Sequence, residues 1–463
     1  MKDEITPQRL EGSLPLAANN NARWIYLEEC IPVRSVQHAV AWQKTQIGAL
    51  RGRKVALCPS SNFNVAWQLC CLDGQVEAIL ILPFEQSASV HLELCQKAEC
   101  DFVLGSLEGS EIPEVEFPTY GNVMCRHAES DTPPVVSSAC DTHWIIPTSG
   151  TSGTPKLVAH TLDGLVGSTK RDIEKGREFV WGLLYDIGRF AGLQVFLQAL
   201  LGGSSLVFTE REDPIAERID ALINGGCNAL SATPSLWRKI LMLPNSEKLD
   251  LRWITLGGEI ANQHVLSSLS KRFSAGRITH VYASTEAGVG FSVRDGLAGF
   301  PVPYVQDGVG SCELRVDEVG KLWLRKRSAT QHYVGESIDL LHSDGWVDSG
   351  DMVELSVDSN RYYFLGRENG TINVGGSKVH PAVVEQVIQE VLGVKFVAVR
   401  GRKNPIMGSL VEAVVVPDSE VDESLLRSEI QRACREKLER FQQPATILFV
   451  ADIELSAVGK LQR

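Results

Sequence analysis

Pro147-Thr148-Ser149-Gly150-Thr151-Ser152-Gly153-Thr154-Pro155-Lys156 sets five hydroxyl side chains, two glycines and a lysine in ten positions. It follows His143-Trp144-Ile145-Ile146, an apolar run that reads as a short buried strand ending where the glycines begin. A strand opening into such a loop is suited to hold an oxyanion: glycine lets successive backbone N–H groups converge, hydroxyls add donors and lysine adds a point charge. Phosphate is the expected guest. Walker A spacing is absent, because neither Gly150 nor Gly153 begins the Gly, four residues, Gly-Lys-Ser/Thr pattern. Taken apart from the rest of the chain, the same residues also describe a polar surface loop.

Outward from the loop, strand and helix patterns alternate. On its N-terminal side, strands are expected at 55–57, 78–82 and 102–104, with helices at 62–72 and 90–98. On its C-terminal side, helices are expected at 162–175, 190–201, 215–223, 235–243 and 262–273, and strands at 205–208, 229–231, 252–256 and 277–282. This alternation implies an α/β fold of doubly wound sheets with helices on their faces. Residues 34–50 suit one helix, and prolines break residues 105–141 into a connection. From 300 to 365, short β segments between Gly and Asp turns point to a small barrel-like or meander subdomain. Past Gly366 the pattern restarts as a smaller α+β unit. The expected division is a large N-terminal domain, 1–367, and a small mobile C-terminal domain, 368–463.

The chain has 463 residues, enough for more than one core, and its hydrophobic and charged fractions are those of a globular protein. A formal charge of −12 argues against a nucleic-acid surface and makes each motif Lys or Arg more telling, since an anionic ligand must be held against the overall field. The cysteines show neither zinc-site nor disulfide-framework spacing, so reduced thiols and a cytoplasmic location are expected. No signal-peptide core and no membrane-spanning apolar run is seen.

Thr148-Ser149-Gly150-Thr151-Ser152-Gly153-Thr154-Pro155-Lys156 resembles the signature phosphate loop of the adenylate-forming superfamily of acyl-CoA synthetases, carrier-loading adenylation domains and luciferases. Four further stretches resemble that family in order. Tyr282-Ala283-Ser284-Thr285-Glu286 is similar to its Tyr-Gly-x-Thr-Glu motif, with Ala283 for glycine. The resemblance implies that Tyr282 lines the adenine, Thr285 touches a phosphate and Glu286 holds Mg²⁺, a hard cation that needs oxygen ligands. Upstream, Gly257-Gly258-Glu259 is similar to the loop that passes the nucleotide and acyl pocket. Gly345-Trp346-Val347-Asp348-Ser349-Gly350-Asp351 resembles Gly-Trp-x-x-Thr-Gly-Asp, which implies that Asp351 accepts the ribose hydroxyls.

Gly366-Arg367-Glu368-Asn369 resembles the family's hinge, with Arg367 near the ribose and Asn369 at the pivot. The Gly375-Gly376 strand is implied to line a pantetheine tunnel after rotation. Ser456-Ala457-Val458-Gly459-Lys460-Leu461-Gln462-Arg463 resembles the terminal motif whose lysine, here Lys460, bridges the acid's carboxylate and the α-phosphate. Lys156 is expected on the departing phosphates.

The implied activity is ATP-dependent ligation of a carboxylic acid, aryl or short-to-medium acyl, to a thiol through an acyl-adenylate. The thiol is coenzyme A or, as an alternative, the phosphopantetheine of a carrier protein. Arg189, Gly192, Ala232, Thr233 and Gly257 are expected around the acid. Arg189 stands where relatives carry an aromatic residue or histidine, and reads either as a contact to a polar substrate group or as a surface salt bridge. The departures at Ala283, Ser349, Asn369 and around Val458 leave a rival reading, a silent nucleotide-binding relative. Monomer and homodimer both stay open.

Overall fold

Ala78-Ile79-Leu80-Ile81 is buried at all four positions, the mark of an interior parallel strand covered on both faces. In the computed structural model it lies between Lys54–Leu57 and His143–Pro147 in a six-stranded sheet, and both pairings are parallel. The structure describes residues 10, 21–126, 134, 140–148, 155–167, 169–326, 333–335, 344–418, 421–456 and 459–461. Ser149, Gly150, Thr151, Ser152, Gly153 and Thr154, the centre of the loop, lie outside the described residues, as do Ala457, Val458, Gln462 and Arg463.

A second, eight-stranded sheet holds Val180–Leu183, Ser205–Phe208, Ala229–Ala232, Trp253–Gly257 and Arg277–Ser284 in parallel, with Gly288–Val293 antiparallel at one edge and Arg23–Tyr26 and Glu29–Pro32 at the other. One core joins the two sheets: Trp24 meets Phe63, Phe196 and Phe208 edge-on at 5.4–6.0 Å between ring centroids. Such contacts add to what burial of the rings already contributes. Helices enter on the expected caps. Ser61 accepts from Asn64 N, Asn262 from Val265 N, and Thr233, followed by Pro234, from Leu236 N.

The small β subdomain is a five-stranded antiparallel sheet running from Phe300–Pro301 through Arg361–Arg367, Val347–Ser356 and Lys321–Lys326 to Cys312–Val316. The C-terminal unit has its own core under the long hairpin Val394–Asn404 and Gly408–Pro417, covered by helices Pro381–Gln389 and Glu423–Lys437. The expected α/β fold with a smaller α+β unit therefore holds.

Local expectations fail in several places, among them these. The helix expected over 162–175 is two short helices, Leu162–Val166 and Ile173–Gly176. Leu157–His160 and Val180–Leu183 are strands that local patterning did not single out. Leu157–His160 pairs antiparallel with His143–Pro147, so the loop at 148–156 connects two neighbouring strands. A four-residue run carries too little periodicity to declare itself; its strand partner does.

Candidate active site

The hydroxyl-rich loop is closed at its base. Thr148 N donates to the Lys156 carbonyl at 2.8 Å, and Lys156 N donates to Thr148 Oγ1 at 3.3 Å. Thr148 is buried, and the Lys156 ammonium sits 4.5 Å from the centroid of the Tyr333 ring. His160, on the strand after the loop, lies with Nε2 2.9 Å from the Thr285 carbonyl. A carbonyl only accepts, so Nε2 carries the proton. This bond fastens the loop's strand to the second motif.

That motif occupies the turn of a hairpin whose register shifts between Tyr282 and Ala283. A bulge re-aims the side chains that follow it. Ser284 Oγ accepts from Ala287 N at 3.0 Å, folding the turn on which Thr285 and Glu286 sit. Glu286 is half-buried, and among the described residues its carboxylate has no hydrogen-bond or ion-pair partner. No group of three metal-ligating side chains occurs among the described residues. One unengaged carboxylate next to Thr285, which is tied to the strand after the loop, still fits Mg²⁺, which takes one or two carboxylates and completes its shell with water and phosphate oxygens.

The Tyr282 ring stacks on Phe291 and Phe364, at 5.1 and 5.3 Å between centroids, and its hydroxyl donates to Asp351 Oδ2 at 2.5 Å. Gly290 makes this possible: a Cβ there would lie 3.3 Å from Tyr282 Cδ1 and 2.9 Å from Leu324 Cδ2. Asp351 stands opposite Arg367 in the antiparallel register, with Arg367 Nε 3.6 Å from its Oδ1. Burial pushes the Asp351 carboxyl up, and Arg367, the Tyr282 hydroxyl and Lys460 pull it back. Ser349 does the work expected of a threonine there. Its hydroxyl donates to the Leu322 carbonyl at 2.5 Å and accepts from Asp351 N at 3.1 Å.

Lys460 reaches this cluster from the far end of the chain. Gly258 has φ +78°, and a Cβ at that position would lie 3.1 Å from Lys460 Cε. The Thr233 hydroxyl donates to the Gly459 carbonyl. Glu259 accepts from two backbone amides at once, Ser235 N at 2.9 Å and Leu461 N at 2.8 Å. Burial holds the Lys460 amine below the ordinary lysine range, helped by Arg367 and Arg189 and opposed by Glu259 and Asp351. Gly257 and Ala232 end the strands beneath, and Ala232 and Thr233 are buried.

The structure bears on two expectations. Arg189 is not on the surface, nor is its charge left open for a substrate. It is buried, its Nε and Nη2 both donate to Glu85 Oε1, the Nε bond being 2.7 Å, and its Nη1 lies 3.4 Å from the Pro147 carbonyl. Arg211 Nη1 takes the other oxygen of Glu85 at 3.3 Å. Gly192 serves packing: a Cβ there would lie 2.1 Å from the Asp186 carbonyl oxygen and 2.9 Å from Ile187 Cα, so the helix it sits on approaches the preceding turn backbone to backbone.

Asn369, expected at the pivot, is exposed in a single helical turn, Glu368–Gly370. Lys321, 2.9 Å from Glu368 and 3.2 Å from Asp348, tethers that turn to the β subdomain. Gly375 and Gly376, with φ +57° and +92°, are exposed on a hairpin turn of the C-terminal sheet.

Residues 70–334 match the AMP-binding enzyme family, and residues 383–460 match the AMP-binding enzyme C-terminal domain. The chain belongs to the AMP-binding enzyme family. Among its relatives, the 2-succinylbenzoate–CoA ligase of Listeria monocytogenes is 26% identical over 340 residues, 69% of this chain and 68% of the relative. The corresponding ligase of Enterococcus faecalis is 24% identical over 470 residues, 95% of this chain and 92% of the relative. An anthranilate CoA ligase solved with anthranoyl-AMP superposes with a TM-score of 0.79, covering 100% of this chain and 98% of its own at 17% identity, which establishes the shared fold.

Within this AMP-binding enzyme, sequence reasoning missed Glu85, His160, Ser235 and Lys321. Glu85 lies 104 residues from Arg189, and no local pattern pairs them. His160 carried a faint signal, a histidine closing an apolar run just after the loop.

Proposed function

We propose that the protein is an AMP-forming acid–thiol ligase: it activates a carboxylic acid as an acyl-adenylate and transfers the acyl group to coenzyme A. The placement of Lys460 carries this reading. A lysine from the C-terminal segment is inserted among Gly258, Glu259, Asp351 and Arg367, an arrangement suited to joining a carboxylate to a nucleotide α-phosphate.

In the first step the Lys460 ammonium draws the acid's carboxylate and the α-phosphate together, lowering the repulsion between two anions. Asp351 accepts from the ribose, with Arg367 and the Tyr282 hydroxyl fixing its orientation. The loop from Thr148 to Lys156 holds the departing pyrophosphate. Mg²⁺, when bound through Glu286 with Thr285 beside it, neutralises charge on those phosphates. Ala232, Thr233 and Gly257 border the acid; Arg189 and Glu85 form the buried wall behind Pro147.

For the second step we place the domain boundary at Arg367. Rotation about Asn369 withdraws Lys460, breaks the Leu461–Glu259 bond and brings Gly375 and Gly376 to the thiol's path. We place the enzyme in the cytoplasm, in line with eleven cysteines of which none is disulfide-bonded.

Pyrophosphate exchange with a panel of aryl and short-to-medium acyl acids tests the activity and finds the acid. Mass analysis of products formed with coenzyme A and with a phosphopantetheine-loaded carrier identifies the thiol. No exchange with any acid, in protein that binds ATP, would overturn the reading in favour of a silent relative.

A further inference from the structure

At the end of the eight-stranded sheet away from Lys460, two cations lie over one tryptophan and a third stands near them. The Lys170 ammonium lies 4.8 Å from the Trp253 ring centroid, and the Arg277 guanidinium lies 4.5 Å from the same centroid. Arg294, just past the edge strand that pairs with Arg277's strand, adds its charge to both. Among the described residues none of the three has a carboxylate partner. The carboxylates nearby are already matched: Asp172 with Lys175 at 3.1 Å, Glu178 with Arg252 at 3.2 Å. Such crowding is unusual in a chain of net charge −12, where an acidic neighbour costs nothing to supply.

The crowding has a measurable consequence. Burial, then Arg277, Arg294 and Lys175, lower the Lys170 amine to about 8. Burial and Arg294 lower Arg277 as well. Lys170 is also held in place from behind, since its backbone N–H donates to Gln198 Oε1 and its carbonyl accepts from Gln198 Nε2, both at 3.1 Å. Its ammonium is thus presented from a fixed point.

We propose that Lys170, Arg277 and Arg294, on the Trp253 shelf, form a binding site for the phosphate group of a small molecule, separate from the adenylate site. Two guanidinium forks and one ammonium match the oxygens of a phosphate dianion, which supplies the charge the fold leaves out. The site is remote from the adenylate centre: Arg277 begins, and Ser284 ends, one eight-residue strand, a span of roughly 23 Å at about 3.3 Å per residue. The proposal does not depend on the ligase reading.

Its test is the pH dependence of Lys170 acetylation by trace acetic anhydride, read by peptide mass spectrometry on the full chain. Alone, Lys170 should titrate near pH 8. Inorganic pyrophosphate or adenosine 3′,5′-bisphosphate at saturating concentration should raise that midpoint by about one unit and slow labelling at pH 8. The probe effective at the lower concentration tells free phosphate from the phosphorylated end of a nucleotide. Arg277→Gln with Arg294→Gln should weaken the response at least tenfold, whereas Arg252→Gln, whose partner is Glu178, should leave it unchanged. Thermal unfolding checks that the variants are folded. A Lys170 midpoint that neither probe moves, or a double variant that responds like the parent, overturns the proposal.

Discussion

Glu259→Ala separates the two half-reactions, and its size follows from the hydrogen bonds. One carboxylate oxygen holds Leu461 N at 2.8 Å, next to Lys460; the other holds Ser235 N at 2.9 Å, within the large domain. Only the first bond must form when the C-terminal segment docks. A hydrogen bond to a charged group contributes about 1.5–3 kcal/mol. Its loss should therefore lower the docked population, and with it acid-dependent pyrophosphate exchange, by roughly 10- to 150-fold, at about 1.4 kcal/mol per factor of ten. Helix Pro234–Met242 keeps its Thr233 cap, so the fold should survive. Thioester formation from added acyl-adenylate, measured in a single turnover, should change less than threefold, because that step needs Lys460 withdrawn. Glu259→Gln keeps a neutral acceptor and should cost exchange only about 3- to 10-fold. Equal losses in both half-reactions, or unchanged exchange in Glu259→Ala, would refute the docking argument.

Lys460→Ala should abolish pyrophosphate exchange while leaving thiolysis of preformed acyl-adenylate largely intact, as read by coenzyme A thioester release. Gly258→Ala puts a methyl 3.1 Å from Lys460 Cε at φ +78°; exchange should fall by at least tenfold with little change in nucleotide binding by titration calorimetry. Glu85→Gln leaves Arg189 buried and Arg211 half-buried without their carboxylate, and should lower unfolding free energy in urea by about 2–4 kcal/mol. Burial, reinforced by Glu212 and Asp213, raises the Glu210 carboxyl to about 7. A raised carboxyl favours the folded state when protonated, so this contribution is full below the unfolded value of about 4.3 and is lost as pH rises through 7. Glu210→Gln should therefore be more stable than the parent at pH 8, by about 1–2 kcal/mol after allowance for solvent screening, and the advantage should vanish near pH 4.

Much of the architecture was written in local pattern. Continuous apolar runs such as Ala78–Ile81 declare interior strands because a parallel strand is buried on both faces, and Thr233-Pro234 or Asn262 declare helix starts because their chemistry satisfies the first free amides. The family was equally legible, since its motifs keep Gly, Ser, Thr, Lys and Asp at fixed spacings. What tertiary structure alone decided are the long-range partners. Arg189 meets Glu85 across 104 residues, Glu259 meets Leu461 across 202, and His160 meets Thr285 across 125. Nothing in a linear pattern encodes such pairings, because each is set by where two separately folded elements come to rest. For the same reason Leu157–His160, four residues without period, became a strand only when His143–Pro147 offered its edge.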